Sequence, residues 1–103
     1  MASYRLTHKA EDDLDRIYER GIREFGLHQA DVFYDGLIAR FDHIAAAPLL
    51  YPAVDFIRPG YRRSVYERLS IYYRIDGEKV VISRLIEKQL AIVDEELNDD
   101  TSN

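Results

Sequence analysis

The sequence contains no cysteine and no tryptophan, and its 103 residues include only three prolines. Without cysteine, neither a disulfide framework nor a thiolate metal site can form. No apolar run approaches the roughly 20 residues of a membrane-spanning helix, and the N-terminus has no apolar segment of signal-peptide length. We therefore expect a soluble, cytoplasmic protein, and the length predicts a single domain over residues 1–103.

Charge of both signs is present but unevenly placed. The net charge is −5, yet residues 57–88 carry eight basic and four acidic side chains. A chain that is acidic overall is disfavoured as a nucleic-acid binder, because it repels a polyanion at long range. A local basic surface on an acidic body instead favours an acidic protein partner. We expect neither direct nucleic-acid binding nor membrane binding.

The first half of the sequence predicts a short strand and two helices. Tyr4–Thr7 alternates polar and apolar residues, which is typical of a strand. Thr7 is suited to cap the helix that follows, and Gly26 is suited to end it in a left-handed conformation. Apolar residues then recur at helical spacing in two segments separated by two or three residues, which predicts an antiparallel hairpin. The helix residues expected in the core are Leu14, Ile17, Phe33, Leu37 and Phe41.

The second half changes to a period of two, which indicates strands. The candidates are 61–66, 69–75 and 79–87, with Asp76-Gly77 as a hairpin turn between the last two. In the last strand Val80, Ile82, Arg84 and Ile86 should face one side, and Val81, Ser83 and Leu85 the other. The order β-α-α-β-β-β predicts an α+β fold, with an antiparallel sheet packed against an N-terminal helical hairpin. Residues 90–97 are compatible with a short helix, and the tail 88–103 is expected to be partly flexible.

The sequence offers no set of residues that supports catalysis. The histidines stand at predicted helix starts or on a polar helix face, where ordinary surface residues are expected; they are His8, His28 and His43. A tyrosine would need a strongly lowered pKa to act as a base. Glu67 and Glu87 would repel the phosphates of an RNA substrate. We therefore predict a protein that is not an enzyme, with no catalytic residue, metal ion or cofactor.

Five segments resemble the ParE toxins of bacterial type II toxin–antitoxin pairs, within the RelE/ParE superfamily. They are YRLT, AEDDLDRIYERGIREFG, IAAAPLLYP, IRPGYRR and IYYRIDGEKVVISRLI, and they cover about residues 3–87. Their order and spacing make the resemblance specific, although no single segment is diagnostic. The resemblance implies the same fold as the one predicted above.

The resemblance also implies a function. Toxins of this family block DNA gyrase, so growth arrest and a role in plasmid stabilisation are expected here. A cognate ParD-like antitoxin would neutralise the toxin by laying an extended segment and a helix across it, which implies a hetero-oligomer of toxin and antitoxin.

Two alternatives remain open. RelE-type relatives cut messenger RNA on the ribosome, and the corresponding positions here are Ser70 and 87–89, which do not supply the expected basic cluster. The run Glu87-Lys88-Gln89 also replaces the basic run that commonly ends the last strand of ParE proteins. A non-toxic relic that still binds the antitoxin is therefore the second alternative.

The resemblance and the residue types together suggest two candidate surfaces. Residues at the edges of the helix stripes could receive a partner helix, and arginines from neighbouring strands could converge on one patch for an acidic antitoxin. The candidate antitoxin-binding residues are Tyr18, Ile22, Tyr34, Ile38, Arg62, Arg74 and Arg84. The candidate target-binding residues are Arg58, Arg63, Glu87 and Lys88. A purely structural role remains the alternative, since tyrosine and arginine suit a half-exposed strand.

Overall fold

The computed structural model describes residues 3–87 and Leu97. Its elements are β1 (Ser3–Leu6), α1 (His8–Phe25), α2 (Leu27–Ala46), β2 (Tyr61–Tyr66), β3 (Leu69–Asp76) and β4 (Lys79–Glu87). The predicted element order and the α+β class are confirmed. The helix predicted for residues 90–97 and the flexible tail lie outside the described residues, apart from Leu97.

The four strands form one mixed sheet in the order β1-β4-β3-β2. The pairs β2–β3 and β3–β4 are antiparallel, as predicted. β1 departs from the predicted antiparallel arrangement, because it lies parallel to β4, with Tyr4 opposite Val80. A parallel pair needs a long crossover connection, and here the helical hairpin and two strands supply it.

The two ends of α1 are fixed by the two residues that the sequence singled out, Thr7 and Gly26. The hydroxyl oxygen of Thr7 accepts a hydrogen bond from the backbone N–H of Ala10 at 3.1 Å, which caps α1. The same hydroxyl donates to the carbonyl of Ser83 at 2.9 Å, so the cap also joins α1 to the sheet. Gly26 has a φ of 91°, which only glycine adopts easily, and it turns the chain directly into α2.

A β-bulge interrupts the pairing of β3 with β4. Tyr72 lies opposite Arg84, whereas Tyr73 lies opposite Ile82, so Ser83 is an extra residue on β4. A bulge of this kind bends the strand and changes the direction in which the following side chains point.

The bulge changes which side chains of β4 face the helices. The strict alternation predicted from the sequence is wrong beyond Ile82, because one extra residue shifts the facing by one position. Leu85 joins Ile82 in the core against the helices, while Ile86 lies on the opposite face. Arg84 reaches α1, where its guanidinium binds the carboxylate of Asp13.

The two faces of the sheet bury two separate apolar clusters. The larger one lies between the sheet and the helical hairpin, with Leu37 and Phe41 fully buried and Leu14, Ile17 and Phe33 packed at its margin. The smaller one lies on the other face and consists of Val54, Tyr61, Tyr72, Ile86 and Leu97. Within residues 3–87, neither helix combines the length and the apolar character that crossing a bilayer requires.

Candidate partner-binding groove

A groove of about 610 Å³ opens between the helical hairpin and the β2–β3 turn. Its apolar wall comes mainly from the C-terminal part of α1 and the N-terminal part of α2. The apolar lining residues are Ile17, Tyr18, Gly21, Phe25, Ala30, Phe33 and Leu69. Its polar rim consists of Arg20, Glu24, Gln29, Glu67, Arg68 and Glu87.

Small residues on the two helices shape the wall of this groove. A Cβ placed on Gly21 would lie 3.5 Å from the Cβ of Ala30, so the helices approach closely at this point. Phe25 remains 69% exposed, so the described residues leave this end of the apolar wall uncovered.

Two tyrosines on the hairpin form an ordered aromatic pair beside the groove. The rings of Tyr18 and Tyr34 meet edge to face with centroids 5.4 Å apart. The Tyr18 hydroxyl donates to the Asp31 carboxylate at 2.6 Å, and this bond raises the pKa of Tyr18. Because two contacts hold the Tyr18 ring, a partner could bind it at little cost in side-chain entropy.

The other two helix candidates differ in their surroundings. Ile22 is half-buried on α1, outside the two apolar clusters. Ile38 packs against the large core cluster. The four helix residues predicted to bind the antitoxin therefore lie in different environments. Tyr18 lies on the groove wall, whereas Ile38 packs mainly against the core.

An ion pair stands between the groove and a second, more polar cleft. The Arg20 guanidinium binds the Glu87 carboxylate, and both residues line the groove and the cleft. The cleft measures about 400 Å³ and lies between α1 and the end of β4, with Arg16 and Arg23 on its helical side. Glu87, predicted to contact the target, is thus part of the groove rim.

The three candidate arginines of the strands do not converge on one patch. Arg62 donates to the backbone carbonyl of Tyr51 at 2.7 Å. Arg84 binds Asp13 on α1, and Arg74 lies 3.8 Å from the carboxylate of Asp76.

The register explains this separation. Arg62 lies opposite Tyr73 and Arg74 opposite Tyr61, so the two arginines belong to opposite faces of the sheet. Arg84 lies opposite Tyr72, on the face away from the helices, and its side chain reaches Asp13 of α1 beyond the end of the β1–β4 pairing.

The candidate target-binding residues also lie apart. Arg63 is opposite Tyr72, on the face away from the helices, while Glu87 is opposite Leu69 and pairs with α1. Arg58 lies in the loop before β2, with its guanidinium 6.0 Å from the centre of the Tyr61 ring. Lys88 lies outside the described residues.

Several groove residues were not singled out from the sequence. The spacing of Phe25 matches that of the core residues of α1. The structure shows that it is exposed, because it is the last residue of α1, next to the turn into α2. Glu67 has a φ of 56°, an uncommon conformation for a residue with a side chain, and it lies with Arg68 on the groove rim. The β2–β3 turn that they form carries no Gly, Asn or Asp that would have marked it.

The titratable groups bear on catalysis as well as on binding. His8, His28 and His43 are all exposed on the helical hairpin. Among residues 3–87, no group of three or more His, Asp or Glu side chains is placed to hold a metal ion. Burial raises the pKa of Tyr4, and it raises the pKa of Tyr73 to about 12. These shifts are opposite in direction to the one that a tyrosine base requires.

Comparison with known proteins places the chain among bacterial toxins. Residues 4–89 match the family described as the ParE toxin of the type II toxin–antitoxin system parDE. Toxin ParE1 of Caulobacter vibrioides is 31% identical over 90 residues, which are 87% of this chain and 93% of the relative. Toxin ParE1 of Mycobacterium tuberculosis is 29% identical over 90 residues, which are 86% of this chain and 92% of the relative.

Solved structures with the same fold include two from toxin–antitoxin systems. One belongs to the chromosomal ParDE system from P. aeruginosa, with a TM-score of 0.75 and 23% identity over 86% of this chain and 98% of the other. The other is from the toxin–antitoxin complex RelBE2 of Mycobacterium tuberculosis, with a TM-score of 0.60 and 22% identity over 84% and 96%.

Proposed function

Since the chain belongs to the ParE toxin family of type II toxin–antitoxin systems, we propose that it inhibits DNA gyrase until a cognate ParD-like antitoxin neutralises it. The family match over residues 4–89 is the observation that carries this proposal. Growth arrest on expression, a role in plasmid stabilisation and a cytoplasmic location belong to the same proposal.

The antitoxin occupies the groove between the helical hairpin and the β2–β3 turn. An amphipathic helix that binds such a groove covers apolar residues with its own apolar face. Phe25 and Tyr18 offer that surface here, and Tyr and Phe are enriched in protein interfaces. The rim carries charges of both signs, with Arg20 paired to Glu87, so it suits a partner whose polar side chains beside the apolar face also carry both signs.

The toxin acts by binding rather than by cutting RNA. In the RelE-type alternative, cations and a general base would gather near Ser70 and residues 87–89. Ser70 is buried, and the carboxylate of Glu87 pairs with Arg20. Cleavage of RNA needs groups that stabilise the negative charge on the phosphate. A buried serine hydroxyl and a carboxylate contribute little to that stabilisation.

The test is gyrase-catalysed supercoiling with the purified chain, with and without the cognate antitoxin. Inhibition, or trapped cleaved DNA, that the antitoxin reverses supports the proposal. Intact supercoiling at micromolar, folded toxin contradicts the choice of gyrase. Cleavage of messenger RNA by the same chain in a ribosomal assay then assigns it to the RelE-type alternative, and antitoxin binding without toxicity assigns it to the relic.

A further inference from the structure

A second apolar surface lies on the loop between α2 and β2. Leu49, Leu50 and Phe56 are 68%, 72% and 82% exposed, and Phe56 is the most exposed large apolar residue that the structure describes. Arg58 lies on the same loop. We refer to Leu49, Leu50, Phe56 and Arg58 together as the loop surface. Exposure of three large apolar side chains on one short segment is costly in water and commonly marks an interaction site.

The backbone that carries the loop surface is held in place. Val54 is buried, and its N–H donates to the carbonyl of Tyr61 at 2.8 Å. The N–H of Arg63 donates to the carbonyl of Pro52 at 3.1 Å. These bonds cover the outer edge of β2 at its first residues, as the isolated bridge between Ala53 and Arg62 shows.

Further contacts fix both ends of the loop. The Asp55 carboxylate accepts from the N–H of Gly60 at 2.8 Å, near the end of the segment. At its beginning, the Tyr73 hydroxyl donates to the carbonyl of Pro48. The exposed apolar side chains therefore project from an ordered backbone, and a partner would not have to order the loop on binding.

The charge around the loop surface indicates the chemistry of the partner. Arg58 and Arg63 are half-buried basic residues on or beside the loop, and Arg62 follows the first residue of β2. Residues 49–66 carry three arginines and a single acidic residue, Asp55, so this part of the chain is basic. A partner face with carboxylates around an apolar pocket is complementary to this surface. Protruding leucine and phenylalanine side chains favour a protein pocket over a phosphate backbone.

The loop surface and the groove lie at opposite ends of the hairpin. Phe33 is the last residue of α2 that lines the groove, and α2 continues from there to Ala46 for about 20 Å before the loop begins. The sheet gives the same order, because Leu69 lines the groove while the loop pairs with the opposite end of β2. A helix bound in the groove would therefore leave the loop surface open.

We propose that the loop surface docks the toxin on its target, through an acidic face with an apolar pocket on a target protein. This inference rests on the proposed function, in which the chain acts on a protein target and the groove takes the antitoxin. The toxin then has two separate binding surfaces, one for neutralisation and one for action.

The test combines Leu50→Ser with Phe56→Ser and compares this variant with Val32→Ser. Val32 is 54% exposed on α2 and lines neither the groove nor the loop surface. All three side chains are exposed, so the melting temperatures of wild type and both variants should agree closely. We expect the loop variant to need roughly tenfold more expression for growth arrest, while antitoxin affinity stays at the wild-type value. Val32→Ser should match wild type in both assays.

Each other outcome overturns a defined part of the inference. Full toxicity of the loop variant excludes the loop surface as the target contact. Loss of antitoxin affinity assigns the surface to the antitoxin, and conversion of a self-associating toxin to a monomer assigns it to a second copy. Loss of binding to an oligonucleotide probe assigns it to nucleic acid. A wild-type chain that does not arrest growth removes the proposed function itself, and this inference with it.

Discussion

The carboxylate of Asp13 on α1 accepts two hydrogen bonds from the guanidinium of Arg84 on β4, one at each oxygen. The Nε–Oδ2 distance is 2.7 Å and the Nη2–Oδ1 distance is 3.1 Å. The backbone N–H of Leu85 donates to the same carboxylate at 3.0 Å. Asp13 is only 2% exposed. Its carboxylate therefore gives a hydrogen-bond acceptor to the backbone N–H of Leu85, which lies in the part of β4 beyond the end of β1.

Asp13→Asn should destabilise the fold by about 2–4 kcal/mol, because it leaves the Arg84 charge without its buried counter-charge. Asp15→Asn is the matched control, since Asp15 is exposed on the same helix and should change stability by less than about 0.5 kcal/mol. Urea denaturation measures both. Equal midpoints for Asp13→Asn and wild type would show that the pair contributes nothing to stability.

The two glycines inside the helices should respond in opposite ways to alanine. A Cβ on Gly36 would overlap the Tyr66 hydroxyl, whereas a Cβ on Gly21 would make only an ordinary contact with Ala30. Gly36→Ala should therefore cost about 1–3 kcal/mol despite the better helix propensity of alanine. Gly21→Ala should be neutral or stabilise by up to about 1 kcal/mol.

Thermal unfolding of these glycine variants shows whether the stability lost in Gly36→Ala comes from steric overlap with Tyr66 or from a change in backbone conformation. Adding Tyr66→Phe to Gly36→Ala should recover part of the lost stability, because the hydroxyl oxygen is the nearest obstacle. If Gly36→Ala is as stable as Gly21→Ala, then α2 and β2 can move apart without cost and the close contact does not constrain the fold.

Local signals in the sequence were sufficient for the elements of this fold. Thr7 and Gly26 marked the ends of α1, and a period of two located the strands within one or two residues. Gly77 has a φ of 65°, as the predicted hairpin turn requires. Each of these features depends on residues that are near one another in the chain.

The features that the sequence did not predict depend on contacts between distant residues. The bulge at Ser83 leaves no mark in the alternation of residue types, and it decides that Leu85 rather than Ile86 faces the helices. Arg40 was not singled out either, although its guanidinium lies 5.9 Å from the Tyr51 ring and 5.5 Å from the Tyr66 ring. The sequence indicated a surface for a partner helix at the edges of the helix stripes, and Tyr18 of that set lines the groove. Phe25 was not predicted there, because it has the same helical spacing as the core residues.

Tyr73 should make the fold sensitive to alkaline pH. Burial raises its pKa from 10.0 to about 12, so the folded chain keeps a proton that the unfolded chain releases between these values. Ionisation of Tyr73 does not change the free energy of unfolding below pH 10, and it should lower that free energy by about 1.4 kcal/mol per pH unit between pH 10 and 12. Other tyrosines also ionise there, so the informative quantity is the difference between wild type and Tyr73→Phe.

Urea denaturation of wild type and Tyr73→Phe from pH 8 to 11.5 gives this difference. Tyr73→Phe loses the hydrogen bond to the carbonyl of Pro48, so it should be the less stable protein at pH 8. The gap should then narrow steadily above pH 10. A gap that stays constant over this range would mean that Tyr73 ionises equally easily in the folded and unfolded chains.

The groove should supply most of the antitoxin affinity through Phe25 and Tyr18. Phe25→Ala removes an apolar ring that is 69% exposed, so it should weaken binding of the cognate ParD-like antitoxin by roughly 10- to 100-fold without unfolding the toxin. Tyr18→Ala should act in the same direction, because it removes the ring that is held by Tyr34 and Asp31. Val32→Ala is the control, since Val32 is exposed on α2 but does not line the groove. Isothermal titration calorimetry gives the affinities, and unchanged binding by folded Phe25→Ala would place the antitoxin elsewhere on the toxin.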